Sequence, residues 1–159
     1  MRQTISQLAQ GPYAYIQDTG LVLLALGMLM AALGLYLNMK QGTYLRWGIF
    51  SLGTTALAIA SLAIFNSHIG QPGTTVHRAF AAGIGLLFTA SAMLLGHAAQ
   101  QRHWSWARPS MVLGALFLLA CPGVFLVPQA CQGIYERGVA LLLLVWCWLL
   151  GHALIKQKQ

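Results

Sequence analysis

Five runs of about twenty apolar residues, set apart by short polar stretches, constrain this chain more than anything else in it. They cover about 20–38, 45–65, 79–99, 110–129 and 134–155. A helix rises about 1.5 Å per residue, so about 20 apolar residues cross the hydrocarbon of a bilayer. Backbone in that layer must satisfy its own hydrogen bonds, which for such runs means helix. The expected fold is therefore an all-α integral membrane bundle of five transmembrane helices, one domain over residues 1–159. The separators carry fitting punctuation: "NMKQGTY", "NSHIGQPGTTVHR", "QQRHWSWARP" and "PQACQG". Only 7% of residues are charged, against about 25% in soluble domains, so lipid is the expected main solvent. The first twenty residues are polar, contain "GPYAY" and lack an apolar core, so no cleavable leader is expected.

Direction follows from Lys and Arg, which concentrate on the cytoplasmic side. With the N-terminus outside, Lys40, Arg46, Arg102, Arg108, Lys156 and Lys158 fall inside, and Arg2, Arg78 and Arg137 outside. Six against three predicts N-terminus out and C-terminus in, a multi-pass protein of the inner (plasma) membrane. Tyr36, Tyr44, Trp47, Trp104, Trp106 and Tyr135 stand near span ends, as an interfacial aromatic belt requires. The formal charge of +7 comes from scattered single residues and makes no basic patch, so no nucleic-acid partner is expected. The expected partners are membrane lipids, with other membrane subunits or a homo-oligomer as further options.

In that orientation the scarce acids share one face. Asp18 and Glu136, the only two, each open a span at the outer surface, together with His68, His77, Arg78 and Arg137. Inside the spans, small residues recur at spacings suited to close helix packing. They are Gly27 with Ala31, Gly53 with Ala56 and Ala60, Ala79 with Gly83, and Ala81 with Gly85. Pro122 beside Gly123 predicts a kink in the fourth span. Cys121 and Cys147 lie in apolar runs and Cys131 in a connection. A mostly helical path from Cys121 to Cys131 separates them by roughly 15 Å, beyond the ~7 Å a disulfide allows.

The opening "RQTISQLAQGPYAYIQDTGLVLLALGMLMAALGLYL", then "FNSHIGQPGTTVHRAFAAGIGLLF", then "GIYERGVALLLLVWCWLL" together resemble an uncharacterised bacterial and archaeal family, domain of unknown function 998. The resemblance implies a polytopic helical protein with a Thr-Ile-Ser stretch, a His opening a middle span and a Glu-Arg pair opening the last. Those positions are Thr4, Ile5 and Ser6, then His77, then Glu136 and Arg137. Two departures stand out. The chain starts at the Thr-Ile-Ser segment, without the span that usually precedes it. The loop after the second span also lacks an acid expected near a Phe-Pro pair. The resemblance brings no activity with it.

Glu136 at a helix mouth meets the positive end of the helix dipole, with Arg78 or Arg137 as a further partner. The plain expectation is an interfacial ion pair pinning the fifth span to the third, with Glu136 near His77 or Arg78. The functional alternative, for lipid binding, transport or hydrolysis, uses the same groups: His77 and Glu136 as acid and base, Arg78 or Arg137 holding an anionic head group, Ser6 as polar contact or nucleophile, and Thr4 in binding. No metal is expected; His68, His77 and Glu136 suit zinc by ligand type only, since no HxxxH or HExxH spacing occurs. "LLGHAA" and "LLGHAL" put His97 and His152 at matching depth on the third and fifth spans, where facing imidazoles could ligate a haem b. A histidine at a helix C-terminus is also favoured by the dipole, and no cofactor is expected. Three functions follow: lipid or small-molecule handling at the outer face, a non-catalytic accessory subunit, and a haem-bearing electron carrier.

Overall fold

The computed structural model describes residues 14–39, 42–64 and 74–156; side chains at 64, 74–78, 124, 125 and 129 are outside that description. The described residues are helical, without strands. The helices are α1 (Ala14–Asn38), α2 (Thr43–Ile64), α3 (Thr74–Gln100), α4 (Ala107–Ala120) and α5 (Gln129–Lys156), with a 3-10 helix over Cys121–Phe125 between the last two. The expected all-α membrane architecture is what is found. Four helices are long and apolar enough to cross a bilayer, and the fifth apolar stretch, Ala107–Gly123, is shorter.

Side-chain contacts fix the relative directions. Positions 48 and 95 meet across α2 and α3, as do Ser51 and Leu87. Gly96 meets Met111, Gly114 meets Ala92 and Gly85 meets Cys121 across α3 and α4. Ser110 meets Trp146 and Ala120 meets Tyr135 across α4 and α5. Each pair runs in opposite senses, so the chain goes up and down, and α3 and α5 are parallel. α5 also touches α1 and closes the bundle.

α3 occupies the centre. Its apolar window is 44% buried, against 22% for α1 and α5, which present most of their surface to lipid. α1 buries one stripe, Ala25, Met28, Ala32 and Leu35, at the spacing of a single helical face. In the middle Phe88 is fully buried, edge-on to Phe117 at 4.6 Å and to Trp146 at 5.2 Å. Such ring geometry adds about 0.5–1.5 kcal/mol beyond burial.

Most polar groups inside this core are joined, the Trp106 Nε1 and Gln17 Oε1 atoms being buried without a hydrogen-bond partner among the described residues. Trp146 Nε1 donates to Ser110 Oγ at 2.8 Å, and Ser110 Oγ donates to the Ala92 carbonyl at 2.8 Å. The relay crosses α5, α4 and α3 in one plane. Ser51 and Ser91 both donate to the Leu87 carbonyl at 2.8 Å, tying α2 to α3. Thr55 donates back to the Ser51 carbonyl at 2.7 Å.

Four boundaries differ from the sequence expectation, the first being α1, already helical at Ala14 ahead of position 20. The fourth span is an α-helix only to Ala120; Pro122 stands in the first positions of the 3-10 helix, which tightens the chain where a kinked α-helix through 129 was expected. α5 begins at Gln129, five residues before the apolar run, because backbone bonding continues wherever it is sterically open. Cys131 is therefore in its first turn and not in a connection. α3 likewise begins at Thr74, ahead of position 79. Between α3 and α4, His103 takes φ 57°, with Trp104 N–H on the Ala99 carbonyl and His103 N–H on that of Gln100. That is a Schellman closure with histidine where glycine is commonest.

The small-residue faces sort in an unexpected way. A methyl group added at Gly27, Gly53 or Gly83 would meet nothing within 4 Å among the described residues. At Gly114 it would lie 2.9 Å from the Ala92 methyl, and at Gly96 3.1 Å from the Ala107 carbonyl oxygen. Gly48, Gly96 and Gly114 therefore set the helix approaches, together with Gly85 against the Cys121 sulfur at 2.8 Å. Gly114→Leu is expected to cost about 1–3 kcal/mol of stability through overpacking, with Gly53→Leu near neutral. Thermal unfolding of the detergent-solubilised variants checks this; equal losses would place the close contacts elsewhere.

Candidate functional site

The expected outer cluster is only partly within view. Thr4, Ser6 and His68 lie outside the described residues. His77 and Arg78 stand in the opening turns of α3, their side chains outside the description. Glu136 and Arg137 are half-buried. Arg137 turns back along its own helix, Nη1 donating to the Gly133 carbonyl at 2.6 Å.

Glu136 does not open its helix. Seven residues of α5 precede it, and the first turn holds no acid. The helix dipole falls off within a turn, so it does not account for this carboxylate. What holds the region is Tyr135, whose hydroxyl donates to the Ala120 carbonyl at 2.8 Å and passes directly over Gly123. A side chain at 123 would collide with that ring, so the glycine beside Pro122 serves a tyrosine contact. This bond locks the start of α5 to the end of α4 and fixes the height of Glu136.

Register relates Glu136 to α3. Phe88 and Trp146 touch, and their helices are parallel. Arg78 precedes Phe88 by ten residues and Glu136 precedes Trp146 by ten, which is about 15 Å along each axis. Asp18 belongs to the same end, ten residues before Met28, which lines one cavity with Trp146.

At the opposite end the two histidines have separate neighbours. His97 meets Tyr44 of α2, ring centroids 4.3 Å apart and edge to face. His152 is exposed and stacks on Trp148 of its own helix at 5.5 Å and 7°. Each ring is engaged locally, on α2 and on α5 respectively. Among the described residues no three His, Cys, Asp or Glu gather as a metal site. His68 and the His77 side chain of the zinc triad with Glu136 lie outside that search. Cys121, Cys131 and Cys147 are free thiols.

Two cavities were not foreseen from sequence. One of about 230 Å³ lies between α1, α2 and α5, lined by Leu24, Gly27, Met28, Ala31, Cys147 and Gly151 among others. The Gly27 and Ala31 pair thus opens space where helix contact was expected. The other, about 580 Å³, lies between the end of α1 and the start of α2, with Arg46 in its wall. Its signal was in the sequence: an arginine at the start of an apolar run, between Tyr44 and Trp47.

The family model described as Protein of unknown function (DUF998) matches residues 1–153. No curated protein and no solved structure matches the chain.

Proposed function

The chain belongs to that family, and on this premise we propose a multi-pass membrane protein that handles a lipid or other small amphiphile through a polar site at its outer face. The orientation follows the positive charges. Among the described residues Arg46, Arg102, Arg108 and Lys156 gather at the end of the bundle where α1 stops, and Arg78 and Arg137 at the other. The first end is cytoplasmic. The site lies at the second.

The observation that carries this reading is the shared depth of Arg78 and Glu136, each ten residues before the Phe88–Trp146 contact on parallel helices. His77 lies one residue further, three helical turns before Phe88. A charge near the centre of a bilayer costs about 2.5–3.5 kcal/mol, and less toward the interface. Charges of both signs at one height lower that cost and leave a mixed polar surface at the head-group level. In this reading Arg78 and Arg137 hold an anionic head group, and Glu136 and His77 exchange a proton with it or with a bound water. Thr4 and Ser6 add contacts from the N-terminal segment. The second reading, a structural or accessory subunit, draws on the Arg137 bond to its own helix and on the exposed Leu141, Leu144 and Trp148 of α5, a face open to another subunit.

Two measurements decide. A C-terminal reporter should be active only in the cytoplasm; activity outside would reverse the orientation and move the site to the inner face. Short-chain phosphatidylglycerol should raise the unfolding temperature of the solubilised protein, by about 2.7 kcal/mol of stabilisation at a hundredfold excess over Kd. Glu136→Gln and Arg78→Gln should each remove that rise and leave the ligand-free midpoint in place. A lower ligand-free midpoint with the rise intact would mean that the charges only fasten the helices.

A further inference from the structure

Where α1 ends and α2 begins, a cleft of about 580 Å³ opens, lined by Tyr36, Leu37, Arg46, Ile49 and Phe50. We propose that this cleft is a binding site for an anionic phospholipid. Its phosphate is held by Arg46, and one acyl chain lies against Leu37, Ile49 and Phe50.

The chemistry of the lining is that of an amphiphile. Among the described residues one guanidinium stands at the rim and the rest of the wall is aliphatic or aromatic. Arg46 sits in the opening turn of α2, three residues after Thr43, so it is at the end of the span and not within it. Tyr36, Tyr44 and Trp47 stand exposed around it, the side chains that mark head-group depth. Phe50, one turn further into α2, is also exposed and meets the Trp47 ring edge-on at 6.0 Å, which continues the wall toward the hydrocarbon. A guanidinium at phosphate depth above an apolar groove matches a lipid in both charge and height. Arginine presents paired donors suited to phosphate oxygens.

Charge complementarity points away from the protein's own acidic side chains as the counterion. The whole chain holds two acidic side chains, Asp18 and Glu136. Asp18 lies twenty residues before the end of α1 at Asn38, or about 30 Å along the helix. Glu136 is at the far end of α5, at the height of Asp18. Among the described residues the Arg46 guanidinium has no hydrogen-bond or ion-pair partner. Arg102, the neighbouring cation at this end, is by contrast placed over the Trp104 ring at 5.1 Å. A cation in the first turn of a helix is also opposed by the dipole, and the first turn of α2 carries no acid to offset it. An external anion relieves both effects at once.

This site stands apart from the outer polar cluster, at the other end of the bundle, and its test separates the two. The full chain is reconstituted with equal amounts of phosphatidylglycerol and phosphatidylcholine, released gently from detergent, and its retained lipids are counted by native mass spectrometry. The wild type should retain phosphatidylglycerol preferentially. Arg46→Gln should weaken that preference about tenfold or more, the scale of one charge-assisted contact, and Arg78→Gln should leave a phosphatidylglycerol bound at this site. Arg46→Lys, which keeps the charge and loses the paired donors, should fall between, and is the variant to read if Arg46→Gln does not fold. Equal retention by wild type and both Arg46 variants would overturn the proposal. Displacement of the bound lipid by millimolar inorganic phosphate would overturn it too, since the cleft would then take a free anion without its chains.

Discussion

A tryptophan N–H in hydrocarbon has no water to turn to, and the fold depends on where this one goes. Trp146 of α5 donates to Ser110 of α4, whose own proton reaches the Ala92 carbonyl of α3. An unmade bond in that layer costs far more than in water, so the relay fixes the rotation of α5 about its axis. The rotation in turn sets the Phe88, Phe117 and Trp146 ring cluster, and through it the height of Glu136 relative to Arg78. α5 needs this fastening. It packs less extensively on its neighbours than α2, α3 and α4 do on theirs, and its outer face is given to lipid.

The glycines and the serines cooperate in the same plane. Gly114 lets α4 approach α3 until the Ala92 methyl is in contact range, which brings Ser110 within 2.8 Å of the Ala92 carbonyl. Gly48 does the equivalent for α2 against Leu95, one layer from the Ser51 bond to Leu87. Close approach without the hydroxyls would leave Trp146 unsatisfied. Hydroxyls without the close approach would not reach.

How much of this could be read from the chain varies with the kind of signal. The first three spans were legible, because long apolar runs between polar stretches have one solution in a bilayer. The fourth and fifth were blurred by "CPGVFLVPQA", which is apolar enough to pass for helix although its two prolines break the bonding. Beginning α5 at its first apolar residue put Glu136 at a helix mouth; backbone bonding from Gln129 puts it two turns inside. Spacing of four identified small residues but not their neighbours, so Gly27 and Gly53 looked equivalent to Gly85, and Gly48, Gly96 and Gly114 were not picked out. The polar relay escaped because Ser110 and Trp146 lie 36 residues apart in sequence, and hydropathy averages conceal a lone serine. The segregation of charge was legible: two acids in the whole chain left few arrangements, and both belong to the end away from Arg46.

The central claim is that one hydrogen-bonded relay docks α5 onto the bundle, and a double-mutant cycle tests it directly. Ser110→Ala, Trp146→Phe and the pair are compared by reversible unfolding in mixed micelles. Interhelical hydrogen bonds in membranes contribute about 0.6 kcal/mol on average and up to about 1.7, and the buried, doubly bonded Ser110 belongs in the upper half of that range. A coupling of about 1 kcal/mol between the two positions is the expected result. Strictly additive losses would mean that the two side chains are not joined in the folded protein, and α5 would then be held by something else.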